Sequence, residues 1–265
     1  MANKSELNGR WALVTGASAG IGAELARELA GRGAKLILTA RRKERLEALA
    51  AELTARGTET RIVAADLNDR EAPQQIYDAT EGAGIAVDIL INNAGLGQFG
   101  AFYSTPMEQE LSQVRVNCEA VVHLTRLFVP RMVERKRGWV LVVASTASFQ
   151  PVPYLSTYAA TKVFDRFFAQ ALAAEVAQFG IKVTTLCPGP TESEFFEIAR
   201  ASVFKRRVQP TADVARLAIA ALARGQRTII PNFSGRLTAF LVRFLPVGLI
   251  THLIEKVARA EAHSE

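Results

Sequence analysis

Residues 11–22 read W-A-L-V-T-G-A-S-A-G-I-G, an apolar run that leads into closely spaced glycines. The run Trp11–Thr15 predicts a buried strand, and the apolar residues Leu25 and Leu29 predict a helix after the glycines. Glycines at such a junction let the backbone approach a pyrophosphate, whose charge is attracted by the N–H groups of the helix N-terminus. These residues therefore predict a phosphate-binding turn, although its glycines are spaced G-x-x-x-G-x-G rather than G-x-G-x-x-G.

The same turn has a second interpretation. Residues 16–20 fit G-x-S-x-G, the nucleophile elbow of an α/β-hydrolase, which would make Ser18 a nucleophile. That chemistry requires an acid and then a histidine further along the chain. However, His123 and His252 lie in helical patterns and His263 lies in the tail, so none follows a strand in a loop. We favour the nucleotide turn and keep the hydrolase as an alternative.

Strand and helix patterns alternate along the rest of the chain. Further strands are predicted at residues 35–40, 61–65, 88–91, 139–144, 181–186 and 227–230, and helices at 23–32, 42–56, 69–81, 107–134 and 158–179. Short buried strands separated by such helices are typical of a Rossmann-type, doubly wound α/β fold. We expect a mostly parallel seven-stranded sheet with helices on both faces. No repeat or linker interrupts the pattern, so residues 1–265 are predicted to form one dinucleotide-binding and catalytic domain.

The end of the second strand indicates which dinucleotide is bound. In such folds an acidic residue at this point binds the ribose 2′-hydroxyl of NAD. This sequence instead has Ala40 followed by Arg41 and Arg42. A guanidinium group matches a phosphate in charge and in bidentate geometry, so we predict NADP, or NADPH, with Arg41 at the 2′-phosphate. The alternative is that the arginines only begin the next helix.

Residues 145–162 follow the strand predicted at 139–144 and lead into a helix. Tyr158 and Lys162 are four residues apart, so their side chains share one helix face. Because a nearby opposite charge favours the ionised form of an acid, the ammonium is expected to lower the pKa of the tyrosine. Tyr158 is therefore a candidate general acid/base near Ser145 at the strand end. Alternatively, the two residues are an ordinary surface pair.

Six sequence features occur in a fixed order along the chain. They are Thr15-Gly16-x-x-x-Gly20-x-Gly22, Asn92-Asn93-Ala94-Gly95, Asn117, Ser145, Tyr158-x-x-x-Lys162 and Pro188-Gly189. With this set, the chain resembles a short-chain dehydrogenase/reductase of the single-domain Ser-Tyr-Lys type that prefers NADP, with an extended C-terminal tail. The resemblance covers about residues 10–230.

The resemblance implies a role for each catalytic residue. Tyr158 would exchange a proton with the substrate oxygen, to which Ser145 would donate a hydrogen bond. Lys162 would hold the nicotinamide ribose and lower the pKa of Tyr158. Asn117 would position a water molecule in a proton relay to that lysine.

The resemblance also implies a set of residues that bind the cofactor. It assigns Gly16, Ser18, Gly20, Ile21 and Gly22 to the phosphates, Arg41 to the 2′-phosphate, Asp66 and Leu67 to the adenine, Asn93 to the adenosine side, and Pro188, Gly189, Thr191, Tyr158 and Lys162 to the nicotinamide end. Since the cofactor carries the hydride, the expected chemistry needs no metal.

We therefore expect an NADP(H)-dependent oxidoreductase that interconverts a ketone or aldehyde and an alcohol. The substrate is expected to be fairly apolar, because Phe195, Phe196 and Phe204 lie in a predicted substrate flap, residues 191–207. One alternative within the class is a 3-oxoacyl thioester reductase. Outside the class, the alternatives are a catalytically idle NADP-binding regulator and the hydrolase.

The C-terminal extension, residues 232–265, has two apolar helical faces that Pro246 and Gly248 separate. It could form a lid over the site, a contact with another subunit or a peripheral membrane contact. We favour the lid or the subunit contact, because the two breaks shorten each helix. The patterns at 107–134 and 158–179 carry more apolar surface than one sheet face needs, and the family resemblance implies that these helices pair between subunits. A homodimer or homotetramer is expected.

Composition and charge exclude several other classes. The formal charge of +6 comes from dispersed basic residues without a nucleic-acid-binding module, so we expect a small-molecule carbonyl or alcohol substrate rather than nucleic acid. The sequence has no run of 18 apolar residues, and a cytoplasmic location is expected. Cys118 and Cys187 lack metal-ligand spacing and are expected to be reduced thiols.

Overall fold

The computed structural model describes residues 6–201 and 208–262 of the chain. Its strands form one sheet in the order β3-β2-β1-β4-β5-β6-β7, and each strand pairs in parallel with its neighbours. The strands are β1 Trp11–Thr15, β2 Lys35–Thr39, β3 Thr60–Ile62, β4 Val87–Asn92, β5 Gly138–Val143, β6 Ile181–Leu186 and β7 Thr228–Ile229. The predicted Rossmann-type α/β fold is confirmed, and the sheet is fully parallel rather than mostly parallel.

Helices connect the strands and cover both faces of the sheet. They are α1 Gly20–Gly31, α2 Lys43–Ala55, α3 Ala72–Asp78, α4 Met107–Val114, α5 Ala120–Glu134, α6 Ser156–Val176, α7 Phe195–Ile198, α8 Thr211–Arg224, α9 Phe233–Leu241 and α10 Val247–Ala262. A π turn, Arg115–Glu119, joins α4 to α5. The predicted helix at 107–134 is therefore wound differently at its centre, where Asn117 lies.

The core has one layer on each side of the sheet, as the alternation along β2 illustrates. Leu36 and Leu38 pack in the layer that contains α1, α2 and α8. Ile37 points to the opposite layer, which contains α3, α5 and α6. Because both faces are covered, the central strands β4 and β5 are buried along their whole length, which explains the continuous apolar run of β5.

Several predicted boundaries need correction. The third strand covers Thr60–Ile62 rather than 61–65, and α3 covers only Ala72–Asp78 of the predicted 69–81, with a proline in its first turn. Of the two breaks predicted in the C-terminal extension, the one at Pro246 is present, since α10 begins directly after it, whereas Gly248 lies inside α10. Of the predicted flap, residues 202–207, including Phe204, lie outside the described residues, as do residues 263–265 of the extension and the side chain of Phe196.

The strand order determines where a ligand can bind. The chain moves from β1 outward to β2 and β3 and then returns to β4 on the other side of β1. In sheets of this kind the ligand crevice opens at the carboxyl ends of the strands where the order reverses. The glycine turn after β1 and the Asn92–Gly95 motif after β4 therefore meet at this crevice. No helix in the described ranges has the length and apolar character needed to cross a bilayer.

Candidate active site

The glycine turn is packed so closely that side chains do not fit at its key positions. Gly16 and Gly20 have left-handed φ angles of +66° and +55°, which glycine adopts without strain. A Cβ atom on Gly22 would overlap the carbonyl oxygen of Gly16 and lie 2.5 Å from Asn93 Nδ2. The turn therefore presents bare backbone at the N-terminus of α1, which has no side-chain cap.

Thr15 and Asn93 fasten this turn to the end of β4. The backbone N–H groups of Asn93 and Ala94 each donate to Thr15 Oγ1 at 3.0 Å. Asn93 Nδ2 donates to the carbonyl oxygen of Thr15 at 2.9 Å. Asn93, predicted on the adenosine side, thus also holds the two loops together. No role for Thr15 was predicted from the sequence, although its hydroxyl at a strand end was an available signal.

A cavity of about 560 Å³ opens at the carboxyl ends of the strands. With the exception of Asn117, every predicted catalytic or cofactor residue lines this one cavity. These residues are Gly16, Ser18, Gly20, Ile21, Gly22, Arg41, Asp66, Leu67, Asn93, Ser145, Tyr158, Lys162, Pro188, Gly189 and Thr191. The fold thus brings together residues that are up to 175 positions apart in the chain, from Gly16 to Thr191.

The three catalytic candidates converge at the carboxyl end of β5. Ser145 lies two residues after the end of the strand, and its Oγ accepts a hydrogen bond from the N–H of Ala147 at 3.0 Å. Tyr158 and Lys162 lie one turn apart on α6, with Lys162 Nζ 5.9 Å from the centre of the tyrosine ring. Lys162 is almost fully buried, and its Nζ donates to the carbonyl oxygen of Val143 at 2.9 Å. The ammonium is thereby fixed to the sheet beneath the tyrosine.

The ionisation of Tyr158 differs from the expectation. Burial raises the pKa of its phenol, and the negative charge of Asp165 adds to that rise. The Lys162 ammonium and a hydrogen bond with Ser145 lower this pKa, but they do not outweigh burial. The predicted effect of Lys162 is therefore present, but burial outweighs it, so the net shift of the Tyr158 pKa is upward. Tyr158 is protonated at neutral pH and is able to donate a proton.

Asn117 lies at the centre of the π turn and is fully buried. Its Oδ1 accepts from the N–H of Leu96 at 2.8 Å, and its Nδ2 donates to Leu96 O and to Thr161 Oγ1, each at 2.9 Å. Between Asn117 and Lys162 lies Gly95, where a Cβ would come within 3.3 Å of Lys162 Nζ and 3.5 Å of Asn117 Oδ1. The side chain thus anchors a loop, and its role in a proton relay stays a prediction.

The adenosine end of the cavity contains both predicted arginines. Arg42 donates to Ser18 Oγ at 3.3 Å and to Glu194 Oε2 at 2.8 Å, and Arg45 also contacts Glu194, at 2.6 Å. Arg41 is more exposed and approaches Asp66 Oδ2 at 4.0 Å. Arg42 and Arg45 thus share the single carboxylate of Glu194, whereas Arg41 makes the longer contact with Asp66 and is the more exposed of the two predicted arginines.

The surroundings of Ser18 do not support the α/β-hydrolase alternative. The described hydrogen bonds of the Ser18 hydroxyl come from Arg42, not from a histidine. His123 lies on α5 and His252 on α10, and neither lines the cavity that contains Ser18. A nucleophilic serine needs a base within hydrogen-bond distance. Among the described residues, Ser18 has no such partner.

Apolar side chains form the wall beside the catalytic residues. The Phe195 ring of α7 lies 5.1 Å from the Tyr158 ring and fills the space in front of Gly97. Val152, Leu155, Ile198 and Ile254 also line the cavity. The described part of the predicted flap therefore covers the catalytic end, and α10 contributes Ile254 to the same wall. The sequence pattern predicted a lid or a subunit contact for the extension without singling out Ile254.

Both cysteines are free thiols in the structure. Burial raises the pKa of Cys118 to about 12 and that of Cys187 to about 11. Thiols with such pKa values are protonated and poorly nucleophilic at neutral pH. The prediction of two unpaired thiols is confirmed.

Comparisons with known proteins agree with this geometry. A family model described as short chain dehydrogenase matches residues 10–203. The very-long-chain 3-oxoacyl-CoA reductase of Anas platyrhynchos is 35% identical over 209 residues, which cover 74% of this chain and 64% of that protein. The chain therefore spans less than two thirds of the length of this curated relative.

Two solved structures extend the comparison to the fold. A short-chain dehydrogenase from Sphingobium yanoikuyae, in complex with NADPH, is 33% identical with a TM-score of 0.81, covering 91% of this chain and 95% of that chain. A 3-oxoacyl (acyl-carrier-protein) reductase from Agrobacterium tumefaciens, with NADP bound, is 28% identical with a TM-score of 0.78, covering 87% of this chain and 96% of that chain. Since the family model matches most of the chain, the protein belongs to the short-chain dehydrogenase family of oxidoreductases.

Proposed function

We propose that this protein is an NADP(H)-dependent oxidoreductase that interconverts a ketone or aldehyde and an alcohol on an apolar substrate. The observation that carries the proposal is one continuous cavity. Ser145, Tyr158 and Lys162 line one end of it, and the glycine turn and Arg41 line the other. An idle cofactor-binding regulator would not need a buried lysine fixed beneath a protonated tyrosine at the catalytic end.

The residues present fit a dinucleotide. Gly20, Ile21 and Gly22 line the cavity at the start of α1, where uncapped N–H groups and the helix dipole favour a pyrophosphate. Arg41 would hold the 2′-phosphate, and Thr191 and Lys162 would hold the nicotinamide end. When bound, NADPH supplies the hydride for carbonyl reduction.

The protein's own groups would act on the substrate oxygen. In reduction, negative charge develops on this oxygen, and hydrogen-bond donors placed in advance stabilise it. Ser145 Oγ and the Tyr158 hydroxyl are the two donors at this point of the cavity. Tyr158 would then transfer its proton to the oxygen, and the fixed ammonium of Lys162 would stabilise the resulting phenolate. In alcohol oxidation the proton moves in the opposite direction.

The wall of the cavity favours an apolar substrate, with a 3-oxoacyl thioester as the first member of the class to test. Phe195, Ile198, Leu155 and Ile254 provide apolar surface beside Tyr158. Two of the proteins compared above are named as 3-oxoacyl reductases, which supports this choice.

The test is a substrate panel followed through NADPH absorbance. It contains 3-oxoacyl thioesters of increasing chain length, simple ketones and, with NADP⁺, hydroxysteroid-like alcohols. We expect turnover that increases with the apolar length of the substrate. Tight NADPH binding without turnover on any member would instead favour the idle regulator.

Cofactor preference provides a separate prediction. Replacing Arg41 with alanine is expected to weaken NADPH binding at least about tenfold, because a hydrogen bond between charged groups contributes about 1.5–3 kcal/mol. NADH binding should be unchanged, because NADH lacks the 2′-phosphate. Dissociation constants from the quenching of tryptophan fluorescence would measure both effects.

Lys43→Ala is the matched control for this prediction. Lys43 begins α2 close to Arg41, and its side chain is 65% exposed and pairs with Glu47. It does not line the cavity. This variant removes the same charge, so equal losses in Lys43→Ala and Arg41→Ala would show only a general charge effect. Equal weakening of NADH and NADPH in Arg41→Ala would contradict the assignment.

We also propose that the protein assembles as a homodimer or homotetramer through α5 and α6. Both helices expose apolar side chains, including Val122 at 39%, Phe164 at 40% and Phe167 at 57%. Monomeric proteins rarely expose large contiguous apolar patches, so a second copy of the chain is a suitable partner for this face.

Phe167→Asp is expected to convert the assembly to monomers, since the aspartate would place a charge in an apolar interface. Light scattering at micromolar concentration measures the change in mass. Phe233→Asp is the matched control, because Phe233 is 77% exposed but lies on α9. A monomeric wild-type protein would contradict the proposal. If only Phe233→Asp dissociates the assembly, the interface lies in the C-terminal extension instead of on α5 and α6.

For the C-terminal extension we propose a lid role for the inner face of α10, supported by Ile254 in the cavity wall. Its outer face, with Leu253 and Val257 exposed, would contact another subunit. Sedimentation with anionic lipid vesicles tests the membrane alternative. Strong binding that is lost on truncation after Pro231 would favour that alternative over the subunit contact.

A further inference from the structure

Asp165 is a buried acidic residue for which the proposed function has no role. It lies three residues after Lys162 on α6, and its side chain is 1% exposed. Its Oδ2 accepts a hydrogen bond from Lys162 Nζ at 2.9 Å. Its Oδ1 is buried and has no hydrogen-bond partner among the described residues. Asp165 does not line the cavity, whereas Lys162 does.

Stability alone gives a poor explanation for this pair. Removing two charges from water costs several kcal/mol per ion, and well-packed apolar residues in the same place are often as stable. The carboxylate is also incompletely satisfied, since one of its oxygens lacks a partner. The effect of the Asp165 carboxylate on Lys162 is a better explanation for its presence in the core.

The contacts of Lys162 show what this effect is. An ammonium group has three donors. One N–H donates to Val143 O and one to Asp165 Oδ2, each at 2.9 Å. Val143 lines the cavity, whereas Asp165 holds the ammonium from outside it. The side of Nζ that faces Gly95 borders the cavity. The two contacts therefore fix both the place and the orientation of the lysine.

We infer that Asp165 is a positioning residue whose carboxylate anchors the ammonium of Lys162 and supplies its counter-charge within the core. This inference rests on the proposed function only in giving Lys162 a catalytic task. The anchor leaves one N–H of Lys162 directed to the cavity, where the proposed function places the nicotinamide ribose.

The charge of Asp165 also reaches Tyr158. Burial lowers the pKa of Lys162, but Asp165 and Tyr158 raise it by more, so the lysine remains charged. Burial raises the pKa of Asp165, and Lys162 opposes this rise only in part. For Tyr158, burial and Asp165 both raise the pKa. Asp165 therefore opposes the effect of Lys162 on the tyrosine.

Other titratable groups surround the pair on each neighbouring element. Cys118 on the π turn and Cys187 after β6 both interact electrostatically with Lys162 and Asp165. Arg166 follows Asp165 on α6 and acts on Cys187. The cysteines are neutral thiols at neutral pH, so the carboxylate of Asp165 is the main negative charge acting on Lys162 among these groups.

Two substitutions separate the anchoring from the charge. Asp165→Asn keeps an oxygen that can accept from Lys162 but removes the negative charge. Asp165→Val removes both. Each is compared with the wild type in three measurements that do not require turnover, namely phenolate absorbance during a pH titration, NADPH affinity and thermal unfolding.

For the titration, each variant is paired with a second protein that also carries Tyr158→Phe, so that the difference spectrum reports Tyr158 alone. Both Asp165 variants are expected to form the Tyr158 phenolate at lower pH than the wild type. Removing a negative charge makes the first proton easier to lose from the coupled Tyr158 and Lys162 pair. In alcohol oxidation, the rising limb of the pH profile should shift in the same direction.

For cofactor affinity, Asp165→Asn is expected to stay within about twofold of the wild type, whereas Asp165→Val loses about tenfold because Lys162 loses an anchor. An unchanged titration in Asp165→Asn, with only the midpoint of thermal unfolding altered, would overturn the inference in favour of a purely structural role. Equal NADPH affinity in both variants would overturn the anchoring role. If the substrate panel shows no turnover, the proposed function fails, while the titration still tests Asp165.

Discussion

Tyr158→Phe is expected to lower kcat for carbonyl reduction by about a thousandfold, the size of effect typical of a lost general acid. The substitution removes the hydroxyl that would both bind the substrate oxygen and protonate it. The ring, which packs against Phe195 at 5.1 Å, is retained. The dissociation constant for NADPH should therefore change by less than about twofold, because the substitution removes one hydroxyl, which would face the substrate. Steady-state kinetics and a fluorescence titration measure the two quantities.

Tyr103→Phe is the matched control, because Tyr103 is 91% exposed and does not line the cavity. It should leave kcat unchanged. A Tyr158→Phe variant that retains more than about a tenth of wild-type kcat would contradict acid/base catalysis by this residue. A parallel loss of NADPH affinity would mean that the substitution disturbs the cofactor site instead.

The second large effect is expected from Gly22→Ala, which should abolish measurable NADPH binding and destabilise the fold by about 1–3 kcal/mol. The new Cβ would overlap the carbonyl oxygen of Gly16 and lie 2.5 Å from Asn93 Nδ2. Backbone and a hydrogen-bonded amide cannot move aside without opening the glycine turn. Urea unfolding and a fluorescence titration with NADPH measure the two losses.

Gly31→Ala is the control on the same helix. A Cβ on Gly31 has no heavy atom within 4 Å, and its φ is not in the left-handed region. Since alanine is the better helix former, this variant should be neutral or stabilised by up to about 1 kcal/mol. Normal NADPH affinity in Gly22→Ala would show that the turn does not contact the cofactor.

Local sequence patterns were sufficient to predict most of the fold. The bounds of β1 and β6 agree with those predicted. For β1 the reason is that a strand buried on both faces leaves an apolar run with clear ends. The short edge strand β3 was placed less accurately, since its alternate residues are only partly buried. The π turn within the predicted helix 107–134 has no distinctive amino-acid composition, so the apolar spacing predicted an uninterrupted helix.

The candidate site was predictable where a motif lies directly after a strand, as with Ser145 and Gly16. It was not predictable where one partner comes from a distant segment. Glu194 reaches Arg42 across 152 residues, and Ile254 enters the cavity from α10. The direction of the Tyr158 pKa shift was also missed, because the spacing of Tyr158 and Lys162 reveals a nearby charge but not the burial that opposes it.

Because Ile254 lines the cavity, the cavity wall is built from two different parts of the chain. The turn and the catalytic residues lie within residues 10–203, the part that matches the family model. Ile254 belongs to α10 Val247–Ala262, which lies entirely beyond that part. The apolar wall beside Tyr158 thus combines side chains from the part that matches the family model with one from beyond it. Exchange of the last helix is therefore expected to change one side of this wall while leaving the proposed proton donor in place.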